Sequence, residues 1–139
     1  MFKYPVKYSK NLKYKRILFI TSALESSLGI LLLLIPSVIV NLLFGIETTE
    51  IIKLLCRLTG IVYFCFGIAC MPGMNINNGN DNGFAVKAMF IYNLSVAVYF
   101  FYISSVNIYK GELLLPAAVL HSLITAYFIF LFFRKNADN

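Results

Sequence analysis

Apolar residues run almost unbroken through four stretches of the chain, about 17–39, 51–71, 84–108 and 113–133, with short polar links between them. A helix needs about 20 mostly apolar residues to cross about 30 Å of hydrocarbon, and each stretch is that long. The links are "GIETTE" at 45–50, "PGMNINNGNDNG" at 72–83 and "YKGE" at 109–112. Links this tight make consecutive helices antiparallel neighbours. The pattern therefore predicts an all-α fold, a four-transmembrane-helix antiparallel up-down bundle. Pro36 interrupts the first stretch, because proline lacks a backbone donor and clashes with the preceding turn. The following "SVIVNLLFG" is either a tilted continuation of that helix or a short helix lying at the outer interface. A cleaved signal peptide does not fit the first stretch, whose apolar run is too long, contains Glu25 and has no A-x-A-like exit.

Composition points to the same class. The 139 residues suffice for one domain. The hydrophobic fraction is 60% and the charged fraction 13%, against about 45–50% and about 25% in soluble domains. A water-soluble fold of this size leaves too much of its surface wet to hide so many apolar groups. Three cysteines, Cys56, Cys65 and Cys70, lie in one apolar stretch with no Cys-x-x-Cys pair. They fit small apolar packing residues and not a thiol redox centre, which needs a closely spaced pair.

The net charge of +6 is concentrated. Lys3, Lys7, Lys10, Lys13, Lys15 and Arg16 crowd residues 1–16, interleaved with Tyr4, Tyr8 and Tyr14. This is a juxtamembrane pattern, in which basic groups meet anionic headgroups and tyrosines sit at the interface. No folded nucleic-acid module accompanies it, so nucleic acid is not an expected partner. Residues 17–135 are then the membrane domain and 136–139 a short tail. With the N-terminus inside, that side gathers the basic head, Lys87, Arg134 and Lys135, and the other side only Lys53 and Lys110. The positive-inside rule thus predicts a multi-pass protein of the cytoplasmic membrane with both termini cytoplasmic. The segment "NINNGNDNG" becomes a solvated cytoplasmic loop, and with Asp81 its only hard ligand it suggests no metal site.

Each stretch also carries one strongly polar group toward the middle of the bilayer. At about 1.5 Å per residue, Glu25 lies roughly 12 Å in from one side and His121 roughly 12 Å in from the other. Arg57 sits roughly 9 Å from the outer edge, with Asn93 near the midplane. Three- and four-residue steps put Thr21, Ser22, Glu25, Ser26 and Gly29 on one face of the first helix, and Arg57, Gly60, Phe64 and Gly67 on one face of the second. Asn93 and Ala97, with Ser104 farther along, share a face of the third, and Ala117, His121 and Thr125 a face of the fourth. Small residues beside polar ones allow helices to approach and hydrogen-bond.

An unpaired charge at the centre of a membrane helix costs about 2.5–3.5 kcal/mol on insertion scales. Opposite charge on consecutive helices therefore predicts a Glu25–Arg57 ion pair, completed by Asn93 and His121. Ser22, Ser26, Thr125 and the phenol of Tyr92 are further members of this structural or ligand-binding cluster. Intramembrane ionisable groups are functional candidates by default, although such clusters also serve only to hold helices together. Arg57 has a second reading, as a clamp for a phosphate or carboxylate headgroup, and Tyr92 a second reading as core packing. If there is chemistry, Glu25 and His121 are the available acid and base, since histidine exchanges protons near neutrality. No H-E-x-x-H, phosphate-cradling glycine loop or nucleophile elbow occurs, and nothing implies a cofactor.

The pattern "ESSLGILLLLIP…LFG", then "RLTGIVYFCFGIA", then "YN" and "LH" in the last two stretches, resembles the DoxX-like group of small four-helix bacterial membrane proteins. The resemblance spans most of the chain after Lys15 and implies a four-helix membrane bundle. Sterol-isomerase-like and vitamin-K-reductase-like bundles share the architecture alone, and the missing cysteine pair argues against the second. The resulting expectation is a small integral membrane protein whose polar cluster binds a lipophilic molecule or lipid. Its alternatives are a membrane enzyme moving a proton on a lipid or isoprenoid, and an accessory subunit of a larger complex. Membrane lipids are the expected partners, with a second copy or another membrane protein as further candidates.

Overall fold

The computed structural model describes residues 6–72 and 83–137, with the side chains of 13–72 and 83–133. The described residues form five helices: α1 (Val6–Leu34), α2 (Pro36–Phe44), α3 (Glu50–Cys70), α4 (Gly83–Ser105) and α5 (Leu114–Ala137). Four of them are long and apolar enough to cross a membrane, over Lys13–Leu34, Glu50–Cys70, Gly83–Ser105 and Leu114–Phe133. The chain is thus an all-helical, multi-pass membrane protein. The "NINNGNDNG" loop up to Asn82, the first five residues and the last two lie outside the described residues, as do the side chains of Lys7, Lys10, Arg134 and Lys135.

The element boundaries differ from the apolar stretches in four places. The helix of the first span already begins at Val6, within the basic head. It stops at Leu34, before the expected 39, because Ile35 leaves helical geometry (φ −133°, ψ 53°) and Pro36 opens a new helix at its first turn. Proline suits that position, where its missing N–H removes nothing. The short α2 therefore replaces the tilted continuation. The third span ends at Ser105 and not at Ile108, because Asn107 takes a left-handed conformation (φ 55°), which asparagine tolerates better than most residues. The last helix runs on through Ala137. At the start of α3, Thr49 Oγ1 accepts from the Ile52 N–H at 3.3 Å, and Glu50 sits in the positive first turn.

Two helix pairs make up the bundle. The first is α1 with α3, joined along a seam of glycines. A Cβ on Gly29 would lie 2.6 Å from the Gly60 carbonyl oxygen, and one on Gly60 2.7 Å from the Gly29 carbonyl oxygen. One on Gly67 would lie 2.7 Å from the Ser22 carbonyl oxygen and run into Ser26 Oγ. Backbones this close leave no space for a side chain, and close approach is how membrane helices gain dispersion energy that lipid does not supply. The second pair, α4 with α5, meets through larger groups: Phe90 packs edge-on against Phe128 and Phe132, and Asn93 meets His121.

Between the pairs the filling changes along the bundle. At the end where Tyr14 meets Phe132, the core is Leu18, Cys70, Ala85, Val86, Met89, Ile124 and Phe128. Beyond it comes a polar layer, and then Phe44, which packs against Phe100 and Tyr109. At that far end the pairs are clasped through their backbones. Two of α2's last carbonyls, on Leu42 and Phe44, accept from the N–H groups of Leu113 (2.8 Å) and Lys110 (3.2 Å). These are carbonyls a helix end leaves without internal partners. Gly111 makes the contact feasible, since a Cβ there would collide with the Leu43 backbone. Large apolar side chains such as Ile51, Leu54, Val62, Ile91, Val98, Leu123 and Phe130 face outward, as a lipid environment favours.

Candidate functional site

The polar layer is assembled from α1, α4 and α5, with aromatic rings from α3. Glu25, on α1, is 3% exposed and Asn93, on α4, is fully buried. The Tyr92 hydroxyl donates to Glu25 Oε2 at 2.7 Å, joining the two helix pairs. One residue further along α4, Asn93 Nδ2 donates to the Met89 carbonyl at 2.8 Å. That bond turns the amide oxygen toward α5, where His121 Nδ1 lies 2.8 Å from Asn93 Oδ1. Because Oδ1 can only accept, Nδ1 carries the proton. In the neutral ring, Nε2 is then left as a lone pair, and no described residue bonds to it. The two bonded pairs touch where the Tyr92 and His121 rings meet edge to face at 5.9 Å. Tyr63 and Phe66 pack on Tyr92 at 5.9 and 5.4 Å, and Phe100 on His121 at 6.1 Å.

The expected Glu25–Arg57 ion pair does not form. Arg57 is exposed, and the ion pair found among the described residues is Lys53–Glu50 at 2.7 Å. The glycine seam supplies the reason. Gly67 lies against Ser22 and Ser26, and Gly60 against Gly29, Leu32 and Leu33. Glu25 is therefore level with the Phe64–Gly67 stretch of α3, and Arg57 lies roughly 10–15 Å away along the helix at about 1.5 Å per residue. No cation among the described residues acts on Glu25.

The other expected members separate as well. Ser22 and Ser26 face the α3 backbone at Gly67, and their hydroxyls are enclosed without a hydrogen-bond partner among the described residues. Thr125 is buried but turns back on its own helix, donating to the His121 carbonyl at 2.8 Å. Phe64, placed on the inward face by spacing, meets Gly29 through its backbone while its side chain is 38% exposed. The face of α1 thus divides: Ser22, Ser26 and Gly29 serve the seam, and Glu25 reaches across to the second pair.

Tyr92 is the partner that spacing on each helix did not single out. A usable signal was present, because Tyr92 lies eight residues beyond Phe84, as Glu25 lies eight beyond Ile17. Groups entering from the same side at equal depth can meet. In the expected up-down arrangement Arg57 enters from the opposite side.

Chemically, the layer is rich in acceptors: a carboxyl, a phenol oxygen and an imidazole lone pair, surrounded by aromatic rings. No three of His, Cys, Asp or Glu converge among the described residues. Cys56, Cys65 and Cys70 are free thiols, with Cys70 in the apolar core. No family model, curated protein or solved structure matches the chain.

Proposed function

We propose that this membrane protein binds a lipophilic small molecule or lipid at the Glu25–Tyr92 and Asn93–His121 layer. One observation carries the reading: a carboxyl 3% exposed within a membrane helix has a tyrosine as partner and no described cation. Had Arg57 neutralised it, helix cohesion alone would account for the charge. An ionised side chain without a counter-charge costs about 2.5–3.5 kcal/mol or more at the centre of a membrane helix, a cost that a bound molecule can offset.

The surrounding topology belongs to the same proposal. The seam contacts, Gly29 with Gly60 and Ser22 with Gly67, support antiparallel packing of α1 and α3. The distribution of Lys and Arg supports cytoplasmic termini, with the basic head against anionic lipid. The likeness to the DoxX-like group is part of this reading and assigns no residue a role. A second reading, a membrane enzyme moving a proton on a lipid or isoprenoid, is favoured by His121, which Asn93 orients with one nitrogen free.

Native mass spectrometry of the protein extracted in mild detergent tests the binding reading. A retained lipophile, lost in Glu25→Gln, is the expected result. Bare protein in every mild detergent would remove the support. For the enzymatic reading, turnover of membrane lipid extracts should vanish in Glu25→Gln and His121→Ala while both variants remain folded.

A further inference from the structure

We propose that the site selects a lipophilic organic cation, an amine carrying an apolar tail, in preference to neutral or anionic lipophiles of the same size. This rests on the reading of the polar layer as a binding site and adds the charge of its occupant. Three features point there together. The first is that the buried acid has no counter-ion. Glu25 accepts from Tyr92, Arg57 is exposed on α3 and Lys87 exposed on α4, and no described cation acts on the carboxyl. In a low-dielectric surround a nearby cation stabilises the ionised form of a carboxyl far more strongly than in water.

The second feature is that two acceptor atoms of the layer have no described partner. The Asn93 amide bonds to Met89 and to His121. That bonding leaves His121 Nε2 as a lone pair in the neutral ring, and Glu25 Oε1 has no described partner. An ammonium group carries only donors and satisfies both. A carboxylate or phosphate would find an acceptor at each of the two.

The third feature is aromatic. Tyr63 and Phe66 pack on Tyr92, whose hydroxyl reaches Glu25, and Phe100 packs on His121, with ring centroids 5.4–6.1 Å apart. Ring faces are negative in their quadrupole, which favours a cation over a neutral group and most of all a desolvated one. A neutral alcohol would use the acceptors but bring no positive charge to the Glu25 carboxyl.

The test compares three twelve-carbon probes, dodecylamine, dodecanol and dodecanoate, binding at neutral pH to the full-length protein in an uncharged maltoside detergent. Empty micelles are the control, and calorimetry or displacement of a retained ligand is the readout. The amine, a cation at this pH, should bind about tenfold or more tightly than the alcohol, and the acid weakest. Glu25→Gln should abolish the preference for amine over alcohol, and Tyr63→Leu should reduce it. Since the wild-type comparison stands by itself, a variant that does not fold leaves the test intact. Equal binding of amine and alcohol overturns the cation assignment while keeping the lipophile site. A preference that survives in folded Glu25→Gln also overturns it, and a protein that binds none of the three removes both readings.

Discussion

Tyr92 holds Glu25 from the opposite helix pair, phenol oxygen to Oε2 at 2.7 Å. A buried hydrogen bond to an acid should be expensive to break from one side only. Tyr92→Phe is expected to destabilise the protein by about 1–3 kcal/mol, read as thermal unfolding in maltoside detergent. Combined with Glu25→Met, the double variant should lose less than the two single losses together, with a coupling of about 0.5–3 kcal/mol. Additive losses would mean that the two side chains do not interact.

Arg57 behaves oppositely. It is exposed on α3, so Arg57→Gln should change stability by no more than about 0.5 kcal/mol. It should also add to Glu25→Met without coupling. A coupled response would restore the ion pair.

The α1–α3 seam gives a steric prediction. Gly67→Ala pushes a methyl group into Ser26, and Gly29→Ala places one between Gly60 and Phe64. Each should cost about 1–3 kcal/mol, as overpacking does elsewhere. Ser27→Ala, on the exposed side of the same turn as Ser26, is the control and should be near neutral. Equal melting temperatures for all three would deny the close approach.

At the clasp, Gly111→Ala collides with the Leu43 backbone and should open the bonds to Leu42 and Phe44. Hydrogen exchange at the Lys110 and Leu113 amides should then speed up, with little change at the Gly67 end of the seam. Unchanged protection at both amides would show that the loops are not held this way.

The tautomer of His121 is a spectroscopic prediction. At alkaline pH, where imidazole is neutral, nitrogen NMR should find the proton on Nδ1, held there by Asn93 Oδ1. Asn93→Leu removes that acceptor and should shift the population toward Nε2–H. A wild-type ring with its proton on Nε2 would contradict the bonding at Asn93.

How far the sequence reveals this structure depends on the kind of interaction. Runs of Leu, Ile, Val and Phe are a one-dimensional signal, and lipid responds to them in one dimension, so the four long helices are plain to read. Pro36 likewise announces a break, although whether α2 continues or stands apart depends on the ψ angle of Ile35, a local geometric detail. The partner of Glu25 is harder, because charge complementarity favours Arg57 while the glycine seam fixes the register. Gly29, Gly60 and Gly67 let the backbones touch at one set of heights, and at that setting Arg57 is out of reach. Tyr92 is masked by its neighbour: a polar residue beside Asn93 points about 100° away from it, so two successive positions serve two different partners.

Each tightly packed pair is formed from one contiguous length of chain, α1 through α3 before the 73–82 segment and α4 with α5 after it. Every glycine of the seam is therefore in the first half, and the Asn93–His121 bond is wholly in the second. The Glu25–Tyr92 bond and the α2 clasp belong to neither. Severing the chain between those halves would leave two groups of helices with their own contacts intact, and the acid would find its phenol only on reassembly.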